Sequence, residues 1–308
     1  MYDRIIVPIG EGARVESVDE ARILARDLGC ELTLLHVHHL REAPPELEGM
    51  TQYRYQGVVE SWDERDVAAE AREVEWLRAL ADEVAEQESE MKVSSRLVHA
   101  PLTRSLKTGD EQVLVLAGSD DVHIEGLAPT LQELLRSGGV PLLLYRPGVE
   151  TLPIRHMLVA LDGSDFSAEV LGPALDLARA VGARVSLVEV VTRGGGLSRL
   201  LRSGERSAES AERFLREVRR TIPEDLGAVD VRVVEMGNAA AGIVQETNRE
   251  DIDLVAMATH GRGGIRRLIL GSVAESVVRR VAVPVLLYRP LGEEARMAPA
   301  SASRTTSA

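Results

Sequence analysis

The chain has 308 residues, of which 44% are hydrophobic but only 3% aromatic, and its formal net charge is −13. An aliphatic core of this kind favours buried parallel strands covered by helices over an aromatic-rich β-sandwich. The negative charge argues against a general binder of nucleic acid or of a membrane surface, and the single cysteine, Cys30, excludes an internal disulfide framework and a multi-cysteine metal site.

Strands and helices alternate along the first half of the chain. Apolar runs predict strands at 3–9, 31–37, 91–99, 112–117 and 140–146, and helical periodicity predicts helices at 17–28, 61–88 and 128–137. Ser17 and Glu20 have the spacing of a capping box at the first helix. The first strand begins so close to Met1 that no signal peptide fits before it, and no apolar run reaches the ~18 residues of a membrane span. We therefore expect a cytoplasmic protein.

The second half repeats this alternation. Strands are predicted at 155–161, 184–191, 229–235, 252–258 and 283–289, and helices after Ser164 or Asp165 up to Gly182 and near 205–221, 239–249 and 272–281. Residues 291–308 are rich in Ala, Ser and Thr without periodicity, which predicts a disordered tail. Alternating β and α units predict an α/β fold with a doubly wound parallel sheet.

The two halves also share sequence. Residues 140–147 read V-P-L-L-L-Y-R-P and residues 283–290 read V-P-V-L-L-Y-R-P. We interpret the chain as two tandem domains, 1–147 and 154–290, divided where two prolines flank Gly148. The matching last strands suggest that the halves pair edge to edge about a pseudo-twofold axis, which would cover two exposed strand edges.

A glycine-rich segment in the second half is the best candidate for a ligand site. Residues 256–273 leave an apolar strand, pass Gly261, Gly263 and Gly264, and enter a helix at Gly271-Ser272. Glycines let backbone amides approach a phosphate, and a helix start adds amide donors and a positive dipole end. Neither the P-loop nor the GxGxxG spacing is present, so a plain connector remains the alternative.

Asp162 is the second candidate. It ends the first strand of the second half, and ligands of open α/β sheets bind beyond the carboxyl ends of the strands. If the first and fourth strands of this half are neighbours, Asp162 faces the loop at 259–264 and can accept hydrogen bonds from a ribose or an adenine. The alternative is a helix-capping turn residue in Asp162-Gly163-Ser164.

These residues together resemble the universal stress protein family, and the resemblance covers roughly 2–147 and 154–290. ATP-binding members show Gly-x-x-Gly, nine residues, then Gly-Ser/Thr; here Ala258-Thr-His-Gly261, nine residues and Gly271-Ser272 match all but the first glycine. The resemblance implies two domains of the adenine nucleotide alpha hydrolase-like fold, with ATP, with or without Mg²⁺, bound by the second. The nucleotide-binding residues that it implies are Ala160, Asp162, Val190, Met257, Gly261, Arg262, Gly264, Gly271, Ser272 and Val273.

The first half looks like the same domain without the site. Gly10 stands where Asp162 stands, Ala128-Pro129 replaces Gly271-Ser272, and the loop after the fourth strand carries Asp120, Asp121 and Glu125. Residues 1–150 hold 15 basic and 29 acidic residues, a net of −14, against 21 and 20 in the remainder of the 36 and 49. We expect this half to repel a triphosphate and to bind no nucleotide.

Three functions remain open: an ATP-binding module of the stress response, a slow ATPase, and a nucleotide-free scaffold. Apart from His260, the glycine-rich loop offers no general base, which disfavours the enzyme. We expect an adenine nucleotide as the partner, no nucleic acid and no membrane, and pairing of the two halves within the chain, with a homodimer as an alternative. His36, His38 and His39 resemble a metal cluster, but a core or strand-end position explains them better.

Overall fold

The computed structural model describes residues 2–10, 12–38, 52–88, 90–99, 106, 112–118, 129–146, 153–192, 207–249, 251–260 and 270–290. The predicted tail at 291–308 lies outside the described residues. Within the described part the chain alternates strands and helices, as the sequence predicts. The strands are β1 (Arg4–Pro8), β2 (Glu31–His38), β3 (Val93–His99), β4 (Val113–Gly118), β5 (Leu142–Tyr145), β6 (His156–Leu161), β7 (Arg184–Thr192), β8 (Asp230–Met236), β9 (Leu254–Ala258) and β10 (Val285–Tyr288). The helices are α1 (Asp19–Leu28), α2 (Gln52–Gln87), α3 (Pro129–Ser137), α4 (Asp165–Ala168), α5 (Leu171–Val181), α6 (Ala208–Thr221), α7 (Ala239–Arg249) and α8 (Ser272–Arg280).

The strands form one ten-stranded sheet in the order β3-β2-β1-β4-β5-β10-β9-β6-β7-β8. Neighbouring strands are parallel within each half, and only the central pair, β5 and β10, is antiparallel. The fold is therefore an α/β fold with two doubly wound parallel halves. The halves join edge to edge, as the repeated last strands predict.

Helices cover both faces of the sheet. Alternate strand residues enter a core under α1, α2, α5 and α6, and the intervening residues enter a second core under α3, α7 and α8. Every residue of β6 is buried, because a central parallel strand is covered on both faces. Equivalent residues of the two halves enter the same core, so the pseudo-twofold axis runs perpendicular to the sheet.

Among the described residues, hydrogen bonds beyond the strand pairing also tie the halves together. The Tyr2 hydroxyl donates to the Pro173 carbonyl at 3.0 Å, and Arg146 Nη2 donates to the Arg279 carbonyl at the end of α8 at 2.7 Å. The Gly139 amide donates to the Arg289 carbonyl at 2.7 Å. The contact between the halves thus extends from the sheet into both helical layers.

Three sequence predictions differ from the structure. The long helix α2 begins at Gln52 rather than at 61. Ser17 lies in a 3₁₀ turn, Val15–Val18, and α1 follows from Asp19, so Ser17 and Glu20 do not form a capping box of that helix. The helix predicted after β6 is broken into α4 and α5, and it ends at Gly182 with φ 70°, the left-handed conformation that glycine adopts without strain.

Candidate functional site

The site lies where the strand order of the second half reverses. Strand β6 pairs with β7 on one side and with β9 on the other, so β6 and β9 flank the switch point. Ala160 of β6 is in register with Met257 of β9. Asp162 and Thr259 follow immediately at the carboxyl ends of these strands, which is where open α/β sheets bind ligands. The predicted neighbourhood of Asp162 and the end of β9 is confirmed.

Asp162 is held in a tight turn. Its Oδ1 accepts a hydrogen bond from the Ser164 amide at 3.0 Å and a second one from the Ser164 hydroxyl at 2.6 Å. The Ser164 hydroxyl in turn accepts from the Ser167 amide at 3.1 Å and caps α4. Asp162 is half-buried. Asp162 is therefore a turn residue, as the alternative interpretation has it, but Ser164 rather than Asp162 caps the helix. The turn also places the carboxylate at the switch point.

Three apolar side chains form one wall beside this turn. Ala160 and Met257 belong to the core under α7 and α8 and are 7% and 6% exposed, and the half-buried Val190 packs against the same core. Helix α7 packs closely against this wall: a Cβ atom added to Gly242 would lie 2.7 Å from Cγ1 of Val190. Only a residue without a side chain fits there at this spacing. These three predicted nucleotide-binding residues thus share one face of the sheet.

The amino terminus of α8 lies against the end of β9. Gly271 is the N-cap, and its amide donates to the Thr259 carbonyl at 2.7 Å. The first intrahelical bond runs from the Glu275 amide to the Gly271 carbonyl at 2.9 Å. The amides of Ser272, Val273 and Ala274 therefore belong to the first turn, where a helix has no intrahelical acceptors for them.

Ser272 and Val273 are exposed at this helix start, Val273 by 37%. Ser272 is the first helical residue, so it does not cap α8. A first turn whose amides lack intrahelical acceptors, with a positive dipole end, suits an anion.

The end of β9 carries a titratable group next to α8. His260 Nδ1 and Thr259 Oγ1 are hydrogen-bonded at 3.0 Å, and the His260 ring meets Phe166 of α4 edge to face at 6.5 Å between centroids. Thr259 is fully buried and His260 half-buried. Phe166 and Thr259 therefore hold the imidazole beside the start of α8.

Three predicted residues, Gly261, Arg262 and Gly264, lie outside the described residues, as do Asp120, Asp121 and Glu125 of the first half. Ala258, which replaces the first glycine of the family pattern, is the buried last residue of β9 and pairs with Tyr288 of β10. Ala258 is thus a buried residue of the sheet, paired with its neighbouring strand.

The strand register identifies the equivalent positions of the first half. Pro8 of β1 corresponds to Ala160 and Ala117 of β4 to Met257, and Gly10 follows β1 as Asp162 follows β6. Helix α3, the counterpart of α8, begins at Pro129. The predicted loss of the carboxylate and of one amide donor thus agrees with the observed register.

The first half instead buries two histidines at the end of β2. His38 Nδ1 contacts Glu73 Oε2 of α2 at 2.7 Å, and His36 Nε2 lies 3.4 Å from the same oxygen. His36 Nδ1 also contacts the Ile9 carbonyl at 2.9 Å, and its ring packs on Trp76. This arrangement gives both histidines the core position that the sequence favours; His39 lies outside the described residues.

The described residues form neither a metal-binding cluster nor a membrane-spanning helix. No group of three or more His, Cys, Asp or Glu side chains there is arranged to hold a metal ion. None of the described helices is long and apolar enough to cross a membrane.

Comparison with known proteins identifies relatives of both halves. Residues 153–289 match the model of the universal stress protein family. A universal stress protein of Thermus aquaticus, encoded in the QAH/OAS sulfhydrylase 3′ region, is 33% identical over 140 residues, which cover 44% of this chain and 98% of the relative. The universal stress protein Rv2005c of Mycobacterium tuberculosis is 28% identical over 224 residues, covering 68% of this chain and 73% of the relative. This last match is longer than one half of the chain.

A solved structure shares the fold over nearly the whole chain. The crystal structure of a universal stress protein from Archaeoglobus fulgidus superposes with a TM-score of 0.58 at 18% identity, covering 94% of this chain and 97% of that protein. At this identity the similarity concerns the fold alone.

Proposed function

Because this chain belongs to the universal stress protein family, we propose that its second half, residues 154–290, binds an adenine nucleotide and that its first half does not. The ligand that we propose is ATP, with or without Mg²⁺, held by a cytoplasmic module that responds to stress. One observation carries the proposal. The turn of Asp162, the wall of Ala160 and Met257, and the first turn of α8 all meet at the switch point between β6 and β9.

Each part of this site suits one part of a nucleotide. Ala160, Val190 and Met257 offer apolar contacts for a purine ring, and Asp162 offers an acceptor for the donors of a ribose or an adenine amino group. The first turn of α8 offers amide donors and a positive dipole end for phosphates. Gly271, the N-cap, adds no side chain beside these amides.

The first half lacks two of these three parts. Gly10 supplies no carboxylate, and Pro129 supplies no amide donor at the start of α3. The net charge of −14 on residues 1–150 adds repulsion of a polyphosphate. A carboxylate about 4 Å from a phosphate costs about 4 kcal/mol at an effective dielectric constant near 20, which weakens binding roughly a thousandfold.

A slow ATPase is the second candidate, and His260 is the observation that favours it. This imidazole lies beside the start of α8, where a terminal phosphate would sit, and Thr259 orients it. Release of inorganic phosphate from ATP by the purified protein, lost in His260→Ala, would support this candidate over a binding module without turnover.

The proposed function is tested by identifying the bound nucleotide and measuring its affinity. Nucleotide released on denaturing the purified protein is identified by mass spectrometry, and binding of ATP to the stripped protein is measured by calorimetry. We expect one nucleotide per chain in native mass spectrometry and weaker, still measurable binding in Asp162→Ala. Asp162→Asn is the matched control, because it retains an acceptor oxygen for the turn but removes the charge. Two nucleotides per chain would overturn the asymmetry, and no binding at all would favour the scaffold.

A further inference from the structure

We infer that Ser164 is a positioning residue of the nucleotide site, which fixes the direction of the Asp162 carboxylate before a nucleotide arrives. The inference rests on the proposed function, and it concerns how that site achieves its affinity. An aspartate carboxylate rotates broadly about its last torsion when nothing holds it. Here a neighbouring residue holds it from two directions.

Both hydrogen bonds from Ser164 end on the same oxygen. The Ser164 amide and hydroxyl lie 3.0 Å and 2.6 Å from Oδ1 of Asp162. Two donors on one oxygen define the plane of the carboxylate and therefore the direction of Oδ2 as well. A ligand that binds a pre-oriented carboxylate does not have to offset the entropy of ordering it.

The hydroxyl of Ser164 donates its hydrogen bond to Asp162. Its oxygen already accepts a hydrogen bond from the Ser167 amide at 3.1 Å. A hydroxyl carries a single proton, so the proton of Ser164 is available for Asp162. The short distance of 2.6 Å agrees with a charge-assisted bond from a hydroxyl to a carboxylate.

The buried side chain of Ser167 anchors the turn. Ser167 is 3% exposed, and its hydroxyl donates to the Ser164 carbonyl at 2.8 Å while it accepts from the Asp162 amide at 3.2 Å. The backbone of Asp162 and that of Ser164 are thus tied to the same side chain. Ser164 therefore acts on the carboxylate from a fixed position.

The first half lacks both members of this pair. Gly10 follows β1 where Asp162 follows β6, and two residues later Gly12 replaces Ser164. Gly12 has φ 80°, a conformation that a serine rarely adopts. The carboxylate and the hydroxyl are absent together, as expected of two groups that work as a unit.

A double-mutant cycle tests the inference on the full chain. ATP affinity is measured by calorimetry for the wild type, Ser164→Ala, Asp162→Ala and the double variant. We expect Ser164→Ala to weaken ATP binding about tenfold, the effect of losing one hydrogen bond to a charged group. In the Asp162→Ala background the same change should alter the affinity less than about twofold, because Ser164 acts through the carboxylate. Ser164→Thr retains a hydroxyl and should restore most of the affinity.

Ser207 provides the matched control. It caps α6 as Ser164 caps α4, accepting from the Ser210 amide at 3.1 Å. Ser207→Ala should therefore lower thermal stability as a lost cap does while leaving ATP affinity unchanged. Additive effects of Ser164→Ala and Asp162→Ala, or failure of threonine to rescue, would overturn the inference alone. A wild type that binds no nucleotide would overturn the proposed function and this inference with it.

Discussion

Leu143 and Leu286 face each other at the centre of the sheet, where antiparallel β5 and β10 pair. The pairs on either side, Leu142 with Leu287 and Leu144 with Val285, are exchanged by a twofold rotation about this point. The carboxyl ends of the strands of the two halves consequently lie at opposite ends of the sheet. The described residues of the candidate site at Asp162 therefore lie at the end of the sheet where the strands of the second half finish.

The two central leucines should contribute similarly to the free energy of unfolding. Leu143 is 2% exposed and Leu286 0%, and both enter the core under α1 and α5. We expect Leu143→Ala and Leu286→Ala each to lower the free energy of unfolding by about 2–5 kcal/mol. Urea denaturation followed by circular dichroism measures both values. A cost above 2 kcal/mol for one and near zero for the other would contradict the pseudo-twofold packing.

Gly242 should tolerate no side chain. A Cβ there would lie 2.7 Å from Cγ1 and 2.8 Å from Cγ2 of Val190, which cannot rotate away from both contacts. We expect Gly242→Ala to destabilise the protein by about 1–3 kcal/mol despite the better helix propensity of alanine. Gly172 of α5 is the control, since nothing lies within 4 Å of its Cβ position. Gly172→Ala should leave stability unchanged or raise it in the same thermal melts.

Gly271→Glu should abolish ATP binding while the fold stays intact. The added carboxylate would occupy the position proposed for phosphate at the start of α8. Backbone angles of φ −72° and ψ 154° suit any residue, but the Cβ would lie 3.1 Å from the Thr259 carbonyl oxygen. Gly271→Ala carries this crowding without the charge and should weaken binding less. Calorimetry that finds unchanged affinity for Gly271→Glu, with unchanged helix content, would rule out a phosphate site at α8.

Cys30 should be inert in the folded protein. Burial raises the pKa of its thiol from 9.0 to about 11, and the residue is 7% exposed. Because the thiolate is the nucleophile, we expect negligible reaction with a disulfide reagent at pH 8 until urea unfolds the chain. The raised pKa of Cys30 also makes stability depend on pH. Because the thiol of the unfolded chain ionises at lower pH than that of the folded chain, the free energy of unfolding falls as the pH rises from about 9 towards 11. Rapid labelling of the native protein at pH 8 would contradict this burial.

An internal repeat and a single glycine predicted two features of the fold. The repeated segments at 140–147 and 283–290 predicted the pairing of β5 with β10, and Gly182 predicted the end of α5, because a left-handed residue is a property of the backbone itself. The sequence leaves the adjacency of β6 and β9 as a condition, and the observed strand pairing meets it. These features need no knowledge of which side chains meet across the core.

Contacts between distant elements could not be predicted in the same way. Glu73 approaches His36 and His38 from a helix 35 residues further along the chain, and helical periodicity does not say which strand residue a helix position meets. The fit of Gly242 against Val190 has the same origin. The bond from Ser164 to Asp162 is different, since the spacing Asp-x-Ser after a strand is a signal for an Asx turn.

During synthesis of the chain, β5 is made well before its partner strand β10. Leu142 and Val285 begin the two strands and are 143 residues apart (285 − 142). At about 5–20 residues per second, a ribosome needs roughly 7–29 s to reach the second strand after completing the first. During this interval the hydrogen-bonding groups of β5 have no partner strand on that side. The nascent first half therefore waits with an apolar strand edge exposed, a period in which a chaperone or a second nascent chain can bind it before its own partner strand exists.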